Sequence, residues 1–321
     1  MNVVASAGRE EVAVLYIVRF DSGKMAECVE ALQPPFPREQ KWILQVSTLF
    51  GCPIGCAMCD AGGHYQGNLT AGEIFDQIDF LIRRRFGDGI VPSRQFKIQF
   101  ARMGEPALNP HVLTVLEELP RRFRVDGLMP SLSTVAPRSS ADFFRRLLRI
   151  KREKYAGGKF QLQFSLHATD EKLRSSIIPV RAWSFREMAE YGDRFYSPGD
   201  RKLTLNFALA RGASVEPAVL LRYFSPDRFL IKMTPLNPTY RAQESGLFSH
   251  IDPLRGEVDC DISTALRKAG YEVIVSIGEV EENSIGSNCG QYLRRHLAAH
   301  TGLSDAYTCD VHVHAGGLSG S

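Results

Sequence analysis

The chain has 321 residues, of which 44% are hydrophobic and 23% are charged, a composition typical of globular proteins. The net charge of +3 neither requires nor excludes a nucleic-acid partner. No apolar run approaches the roughly 18 residues of a membrane helix, and no secretion signal begins the chain, so we expect a cytoplasmic protein that does not bind a membrane. Seven cysteines, three of them clustered, favour a metal site over disulfides.

The N-terminal region predicts a β-hairpin followed by a linker. Strands are expected at Val14–Phe20 and Met25–Leu32, joined by the turn Asp21–Lys24. Three prolines within residues 34–37 then interrupt regular structure, because proline cannot donate a backbone hydrogen bond. We therefore assign residues 1–40 to a hairpin and linker.

A predicted strand at Trp42–Val46 leads into Gly51-Cys52-Pro53-Ile54-Gly55-Cys56-Ala57-Met58-Cys59, whose cysteines have the spacing C-x3-C-x2-C. A [4Fe–4S] cluster normally has four thiolate ligands. Because the next cysteine in the chain is Cys260, three local thiolates would leave one iron open to a ligand that is not protein. The alternatives are clustering by chance and a zinc site with a distant fourth ligand.

After this loop the sequence alternates between helical and strand patterns. Thr70 and Glu73 form a capping box at the start of a helix. Strands are predicted at Phe96–Phe100, Leu128–Ser133, Phe160–Ser165, Leu203–Ala208, Phe229–Met233 and Tyr271–Ser276, and helices at His111–Leu119, Ser140–Ile150, Ser184–Phe195, Pro217–Phe224 and Asp261–Ala269. This alternation predicts an α/β fold whose parallel strands form a full or partial (β/α) barrel. We assign the core to residues 41–240 and a C-terminal extension to residues 241–321.

Polar residues follow several of these strands, where ligands bind in parallel α/β folds. Glu105, in Met103-Gly104-Glu105-Pro106, could accept hydrogen bonds from an amino group, and Gly104 would allow close backbone approach; a plain turn is the alternative. Ser133, Ser165 and His167 end the next two strands, and the serine hydroxyls could bind a ribose or a carboxylate. A lone histidine is more often structural, and Asn237, which precedes a proline, is also typical of an ordinary turn.

Together these motifs resemble the radical S-adenosylmethionine (SAM) enzymes, whose signature is C-x3-C-x2-C. The residue before the third cysteine is usually aromatic in that superfamily and is Met58 here. A longer ordered series resembles the radical SAM methyl synthases that modify adenine in ribosomal RNA, including their antibiotic-resistance branch. That series comprises the cysteine loop, Asn68–Ile74, Met103–Pro106, Ser133–Val135, Phe164–Ala168 and Asn288–Gln291, and the likeness extends to about Tyr292.

The resemblance implies a partial (β/α) barrel of radical SAM type in which Cys52, Cys56 and Cys59 hold a [4Fe–4S] cluster. SAM would chelate the open iron, and an electron from a flavodoxin-like or ferredoxin-like donor would cleave it to methionine and a 5′-deoxyadenosyl radical. The residues that match the family's SAM contacts are Gly104, Glu105, Ser133, Ser165, Leu166, His167 and Asn237.

The resemblance also implies a catalytic role for Cys289 as a methyl carrier. One SAM would methylate its thiol, the radical from a second SAM would remove a hydrogen from the S-methyl group, and the carbon radical would add to an sp² carbon of the acceptor. An inert buried cysteine is the alternative. The small, polar run Ser284–Asn288 predicts a loop that could carry this thiol.

Two features depart from that family. Its second cysteine, which resolves the adduct with the product, is replaced by Gln45, and an amide is not a thiol nucleophile. Cys28, Cys260 and Cys309 are candidates to take its place. Only 51 residues precede Cys52, so no counterpart of the family's N-terminal RNA-binding domain is expected, and the basic runs are interpreted as solvated helix faces.

Three functions therefore stay open. The first is methyl transfer through Cys289 to an unsaturated or aromatic acceptor, with RNA as a substrate that is not favoured. The second is direct 5′-deoxyadenosyl radical chemistry on a small molecule, lipid or peptide, by hydrogen abstraction or adenosyl addition. The third is a non-catalytic cluster protein or RNA-binding regulator. In the tail, Cys309, His312 and His314 could hold a second metal, or simply belong to an edge strand.

Overall fold

The computed structural model describes residues 1–123, 125–252, 260–278, 280–287, 292–293 and 307–314. Within these ranges the strands are β1 Asn2–Arg9, β2 Ala13–Arg19, β3 Met25–Ala31, β4 Lys41–Val46, β5 Leu49–Cys52, β6 Gly63–Asn68, β7 Gln95–Phe100, β8 Leu128–Thr134, β9 Gln161–Ser165, β10 Leu203–Leu209, β11 Phe229–Pro235, β12 Val273–Val275 and β13 Val311–Val313. The α-helices are α1 Ala71–Arg85, α2 His111–Arg122, α3 Ala141–Lys154, α4 Glu171–Ile177, α5 Phe185–Phe195, α6 Pro217–Leu221, α7 Tyr240–Glu244, α8 Cys260–Lys268 and α9 Val280–Ile285.

Eleven strands form one sheet in the order β12-β11-β10-β9-β8-β7-β4-β3-β2-β1-β13. From β4 to β12 all neighbouring strands are parallel, as the alternation of helices and strands predicts. The α/β fold is therefore confirmed. The end strands β12 and β13 do not pair with each other in the described part of the chain, so the sheet is open and not a closed barrel.

The predicted N-terminal hairpin is formed by β2 and β3, which pair antiparallel. The strand β1 was not predicted, because its sequence is rich in Ala, Ser and Gly, which have low strand propensity. β3 also pairs antiparallel with β4, so the hairpin continues the sheet of the core. The domain boundary near residue 40 stays a prediction.

The parallel part of the sheet has one apolar face and one polar face. On the apolar face, Phe96, Leu132 and Phe164 are fully buried, and the Phe164 ring lies 6.5 Å from that of Phe144 in α3. Because cross-strand partners share a face, the register of the strands places Ser133 and Ser165, predicted at strand ends, on one surface. The polar residues of this second face include Gln45, Gln99, Ser131, Ser133, Gln163, Ser165, Asn206 and Lys232.

The helix α1 begins as predicted. The Thr70 hydroxyl accepts from the Glu73 amide, and the Glu73 carboxylate accepts from the Thr70 amide, which completes the capping box. Its apolar residues Ile74, Ile78, Leu81 and Ile82 are buried in the core. None of the helices in the described part is both long and apolar enough to cross a bilayer.

The tail forms an edge strand, which was one of the two interpretations of its sequence. β13 pairs antiparallel with β1, and the His314 ring lies 2.9 Å from the Ser6 hydroxyl. Among the residues that the structure describes, no three His, Cys, Asp or Glu side chains are arranged to hold a metal ion. A second metal site at the tail is therefore not supported.

Candidate active site

The three-cysteine loop lies at the carboxyl ends of the parallel strands. It connects β5 and β6, which form a separate two-stranded antiparallel sheet. Cys52 and Met58 belong to a small apolar cluster that also contains Val135, just after β8, and Ala210, just after β10. Cys56 and Cys59 pack against this cluster. The thiols are thus at the edge of the sheet where parallel α/β folds bind their ligands.

The turn before α7, and α7 itself, hold the loop in place. The Thr239 hydroxyl donates to the Met58 carbonyl at 2.9 Å, and the Arg241 guanidinium donates to the Gly55 carbonyl at 3.2 Å. Asp60, which follows the third cysteine, accepts from the backbone N–H of Arg241 at 2.9 Å. The loop is therefore fixed by side chains and amides about 180 residues further along the chain, which local sequence patterns do not reveal.

The surroundings of the thiols suit a sulfur-ligated cluster. Burial raises the pKa of Cys52 to about 11, against which the backbone N–H groups of Ile54, Gly55 and Glu105 act by hydrogen bonding to the sulfur. Amide donors directed at cysteine sulfur are what stabilises a thiolate once it binds a cluster. Burial, followed by the nearby Cys52, raises the pKa of Cys56 to about 12, so these thiols need a metal to be deprotonated near neutral pH.

No disulfide joins Cys52, Cys56 and Cys59. In the described residues no three potential ligands converge on a point suited to one metal ion, and this includes the three cysteines. A cubic cluster binds each thiolate at a different iron, so its ligands need not converge in that way. The donor set of three thiols in an apolar setting fits a [4Fe–4S] cluster, and the three ligands themselves stay a prediction.

Glu105 lies beside the loop, with its carboxylate held by three donors. They are the Thr134 hydroxyl at 2.5 Å, the Val135 amide at 2.9 Å and the Ala107 amide at 3.0 Å. Burial raises the pKa of Glu105 to about 7, and these hydrogen bonds act against the rise. The carboxylate thus fixes the turn after β8, and its predicted contact with the SAM amino group stays a prediction.

At Gly104 the backbone passes so close to Leu49 that a side chain would not fit. Its φ is +101°, and a Cβ at this position would lie 2.5 Å from the Leu49 Cβ and Cγ. The sequence predicted that Gly104 permits close approach of the backbone to a neighbour. The structure shows such an approach, and the neighbour is Leu49 in β5, the strand that leads into the cysteine loop.

Gly104→Ala should therefore destabilise the fold by roughly 2–4 kcal/mol, from the clash and from the left-handed backbone conformation together. The matched control is Gly23→Ala, at a φ of +78° with no atom within 4 Å of the added Cβ, which should cost about 1 kcal/mol. Urea unfolding of both variants measures the difference. Equal losses would show that Leu49 does not restrict this position.

The remaining predicted SAM contacts lie at the carboxyl ends of three strands. Ser133 in β8 and Ser165 in β9 are half-buried on the polar face of the sheet. Leu166 is fully buried and its amide donates to the Asn206 carbonyl at 2.9 Å, so only its backbone or apolar surface is available. Asn237 is half-buried, two residues beyond β11. The fold brings these residues to one edge, as the motif order predicts.

His167 has a structural role that the sequence left open. Its φ is +65°, and its Nδ1 accepts from the Ala208 amide at 3.0 Å. Burial, followed by the charge of Arg174, lowers its pKa to about 3. The ring is therefore neutral in the folded chain and bridges β9 to β10.

Because the pKa of His167 is lower in the folded chain than in the unfolded chain, its contribution to stability is complete above about pH 6.5 and is lost as the pH falls towards 3. Between about pH 6.5 and pH 5 this residue should account for a loss of about 2 kcal/mol. His167→Asn, which tolerates the positive φ, should remove that loss. Urea unfolding without SAM at several pH values measures it, with the exposed His111→Asn as the comparison. A slope unchanged in His167→Asn would contradict the assignment.

Residues that the sequence did not single out connect the C-terminal segment to this edge. Arg102, just before the Gly104 turn, donates to the carboxylate of Glu27 at 2.9 Å and to the carbonyls of Gly286 and Ser287 at 2.9 and 3.0 Å. The Glu27 carboxylate also accepts from the Leu293 amide. Two features of the sequence could have indicated this ion pair: Arg102 is next to the Met103–Pro106 motif, and Glu27 is a charged residue inside a predicted strand.

A second connection is aromatic. The Tyr307 hydroxyl donates to Asp60 at 2.7 Å, directly after the third cysteine, and its ring stacks on Tyr240 at 5.1 Å. Tyr292 contacts the same ring edge-on at 5.4 Å. The described residues on both sides of positions 288–291 are thus anchored at the edge that holds the cysteine loop.

Cys289 itself lies outside the described residues, so its predicted role as a carrier stays a prediction. Gln45, at the position of the family's second cysteine, is on the polar face opposite Gln99. Cys28 is fully buried on the other face, paired with Tyr16, so it cannot take the place of Gln45.

Of the other two candidates, the side chain of Cys260 lies outside the described part. Cys309 is half-buried; its amide donates to the Ser284 carbonyl at 3.1 Å and its carbonyl accepts from the Tyr292 hydroxyl at 3.0 Å. The backbone of Cys309 is therefore hydrogen-bonded to Ser284 and Tyr292, which lie on either side of Cys289 in the sequence.

Comparisons with known proteins agree with this architecture. A radical SAM methyltransferase from Sphaerobacter thermophilus matches the fold with a TM-score of 0.71 at 24% identity, over 90% of this chain and 80% of that one. The Streptococcus suis protein SuiB, solved bound to S-adenosylmethionine, matches with a TM-score of 0.50 at 13% identity, over 76% of this chain and 51% of that one. No family model matches the sequence.

Sequence relatives lead to the same class. A probable dual-specificity RNA methyltransferase RlmN from a Synechococcus species is 28% identical over 81% of this chain and 71% of its own. One from Thermus thermophilus is 25% identical over 90% of this chain and 77% of its own. The predicted resemblance to radical SAM enzymes is therefore confirmed, and a [4Fe–4S] cluster and SAM are the cofactors that this resemblance implies. Within the class it is similar to the RNA methyltransferases named RlmN.

Proposed function

We propose that this chain transfers a methyl group to an sp² carbon by radical SAM chemistry, with Cys52, Cys56 and Cys59 as cluster ligands. The observation that carries the proposal is the position of the cysteine loop, at the carboxyl ends of the parallel strands and next to Gly104 and Glu105. The sequence relatives are named as methyltransferases, which favours methyl transfer over other radical SAM outcomes.

The chain's own residues bind and orient the cofactors in this proposal. The bound cluster would supply the electron that cleaves SAM. Backbone amides of Ile54, Gly55 and Glu105 would stabilise the Cys52 thiolate. The Glu105 carboxylate, already fixed by its three donors, would accept a hydrogen bond from the SAM amino group. Ser133, Ser165, Leu166, His167 and Asn237 would line the rest of the SAM site.

Cys289 would carry the methyl group. The support is indirect but specific, because Arg102 and Glu27 hold Gly286, Ser287 and Leu293 next to the Gly104 turn. In this proposal the Cys289 thiol would reach the carboxyl ends of the parallel strands. A flavodoxin-like or ferredoxin-like protein would donate the electron, and the cytoplasm is the compartment where such donors keep the site reduced.

RNA is the first acceptor to test, since the relatives are named as RNA methyltransferases. Release of the product would then need a thiol in place of Gln45. Cys309 is the candidate: its thiolate would attack the Cys289 sulfur, and the new S–S bond would form as the bond from that sulfur to the transferred carbon breaks. The transferred carbon would keep the electron pair of that bond and take up a proton, which completes the methyl group of the product.

A second function is favoured by one observation, the presence of Gln45 on the polar face where a resolving thiol would be needed. In this alternative the 5′-deoxyadenosyl radical acts directly on a small molecule, lipid or peptide, and Cys289 has no catalytic role.

Turnover with SAM whose methyl group is deuterated distinguishes the two. Intact-mass analysis should detect one labelled methyl group on the wild-type chain and none on Cys289→Ala, and labelled product should form from RNA or from another component of cell extract. Cys309→Ser should acquire the methyl group but accumulate the adduct. Full turnover by Cys289→Ala would contradict methyl transfer and support direct radical chemistry.

A further inference from the structure

A cavity of about 510 Å³ lies between the end of α4, the start of α5 and the turn after β8. Ile178, at the end of α4, lines this cavity and also belongs to the apolar cluster that contains Cys52. The carbonyl of the preceding residue, Ile177, accepts from the Ala57 amide in the cysteine loop at 2.9 Å. The end of α4 is therefore shared by the wall of the cavity and the surroundings of the cysteine loop.

Three arginines line this cavity. They are Arg138, Arg174 and Arg181, and Glu171 is the one acidic residue among the described residues of its lining. Arg138 forms an ion pair with Glu187 at 2.9 Å. The side chain of Arg181 is exposed and has no hydrogen-bond or ion-pair partner in the described part of the chain. Positive charge is therefore in excess at the cavity, even when Glu187 is counted.

Arg174 is the buried member of this set. Its exposed fraction is 8%, and its Nε has no hydrogen-bond partner among the residues that the structure describes. Its other two nitrogens donate to the carbonyls of Trp183 and Val135 at 3.4 and 3.3 Å, longer than the roughly 2.7–3.2 Å of a typical hydrogen bond. Buried charged groups are normally paired with an opposite charge, so an anion in the cavity would complete the contacts of Arg174.

The start of α5 favours an anion at the same place. Ser184, the N-cap, and Phe185, the first residue of this 11-residue helix, both line the cavity. The capping box satisfies the amides of Ser184 and Glu187, whereas the Phe185 amide has no partner within the helix. A helix N-terminus has a partial positive charge, and phosphate groups bind at such ends. The helix start and the buried Arg174 are thus independent observations that indicate an anion.

We propose that this cavity binds a phosphate group of the substrate, with Arg138, Arg174 and Arg181 as donors and the start of α5 beside it. Phosphate is favoured over a carboxylate because it offers more acceptor oxygens to several guanidinium groups, each of which can bind it through two nitrogens. The volume of the cavity lies in the range of about 300–1,000 Å³ that is typical of ligand sites, so the phosphate would enter as part of a larger molecule.

The bound phosphate would lie next to the SAM site. The Val135 carbonyl accepts from Arg174, and the Val135 amide donates to the Glu105 carboxylate at 2.9 Å. A single residue thus connects the cavity to the group that is expected to bind the SAM amino group. That the phosphate belongs to the substrate rests on the proposed function, whereas the site itself does not.

The test uses the full chain with its cluster reconstituted, and inorganic phosphate as the probe, with chloride at equal ionic strength as the reference. Phosphate should raise the melting temperature of the wild type and of the control Arg146→Met, which alters an exposed arginine in α3 outside the cavity. Arg181→Met and Arg174→Met should lose this rise, with apparent phosphate affinity reduced about tenfold or more.

Arg181→Met separates lost binding from misfolding. Its exposed side chain has no partner in the described part of the chain, so without phosphate the variant should melt at the wild-type temperature. Equal phosphate responses in all four proteins, or no response in the wild type, would overturn the site, whatever the outcome of SAM cleavage. A normal response in protein that does not cleave SAM would support the site and contradict the proposed function instead.

A short RNA without terminal phosphates distinguishes the two sources of the phosphate. If the cavity takes an RNA phosphodiester, Arg181→Met should bind this RNA more weakly than Arg146→Met does. The slope of log affinity against log salt concentration should also become shallower by about one. Equal RNA affinities and slopes in the two variants, together with a lost response to inorganic phosphate in Arg181→Met, would support the cavity as a site for the phosphate of a small molecule.

Discussion

Replacing Cys56 with alanine is expected to abolish the absorbance of the iron–sulfur cluster and to reduce reductive cleavage of SAM by more than about 100-fold. Residues that only orient metal ligands already change activity by about 10–100-fold when they are mutated, and a direct ligand should exceed that. The half-buried Cys56 packs in a loop held by Thr239 and Arg241, so the fold should survive the change. Anaerobic reconstitution, iron analysis and measurement of 5′-deoxyadenosine provide the readouts.

The control for this prediction is Cys309→Ala, which removes a half-buried thiol about 250 positions away in the chain. Without an acceptor substrate, this variant should retain the full iron content and full SAM cleavage. If Cys56→Ala kept the cluster, or if Cys309→Ala lost it, the assignment of the three ligands to residues 52–59 would be wrong.

The second large effect is expected at Arg102. Its side chain is 1% exposed and forms an ion pair with Glu27, whose side chain is 0% exposed. Arg102→Met would leave the Glu27 carboxylate buried without its counter-charge and would release the carbonyls of Gly286 and Ser287. Breaking one side of a buried ion pair costs about 3–5 kcal/mol, and urea unfolding should show a loss in that range.

Two further variants make this prediction specific. Arg102→Met combined with Glu27→Gln should recover part of the loss, because no charge remains buried. Arg122→Met breaks an exposed ion pair with Asp79 and should cost less than about 1 kcal/mol. In folded Arg102→Met protein, SAM cleavage should persist while methylation of Cys289 falls, since only the C-terminal segment loses its anchor. Loss of both activities together would instead mean that Arg102 supports the whole site.

The parallel strands and their helices could be predicted because each carries a local pattern. The strand predicted at Trp42–Val46 is Lys41–Val46 in the structure, and the predicted capping box at Thr70 begins a helix. The helix predicted from Ser184 begins there, with a capping box that was not predicted. The strands of the small sheet were missed since β6, with the sequence GHYQGN, is largely exposed and has no apolar alternation. The short helices α4 and α7 lack the length over which a helical period becomes visible.

The site was predictable where chemistry is concentrated in a short motif. The cysteine loop and the Gly104–Glu105 turn meet at one edge of the sheet, as their order along the strands requires. The ion pair of Glu27 with Arg102 joins positions 75 residues apart, and Tyr307 reaches Asp60 across 247 residues. Such contacts depend on tertiary packing, so no local pattern could have indicated them, nor the proximity of Cys309 to Ser284.

The most direct test of SAM binding at an open iron is electron–nuclear double resonance on the reduced, reconstituted protein, with SAM labelled with ¹⁵N at the amino group and ¹⁷O at the carboxylate. We predict hyperfine coupling of both labels to the cluster, because three cysteine ligands would leave one iron for SAM. A reduced [4Fe–4S] cluster that shows neither coupling, or protein that binds zinc in place of iron, would contradict SAM binding at an open iron of the cluster.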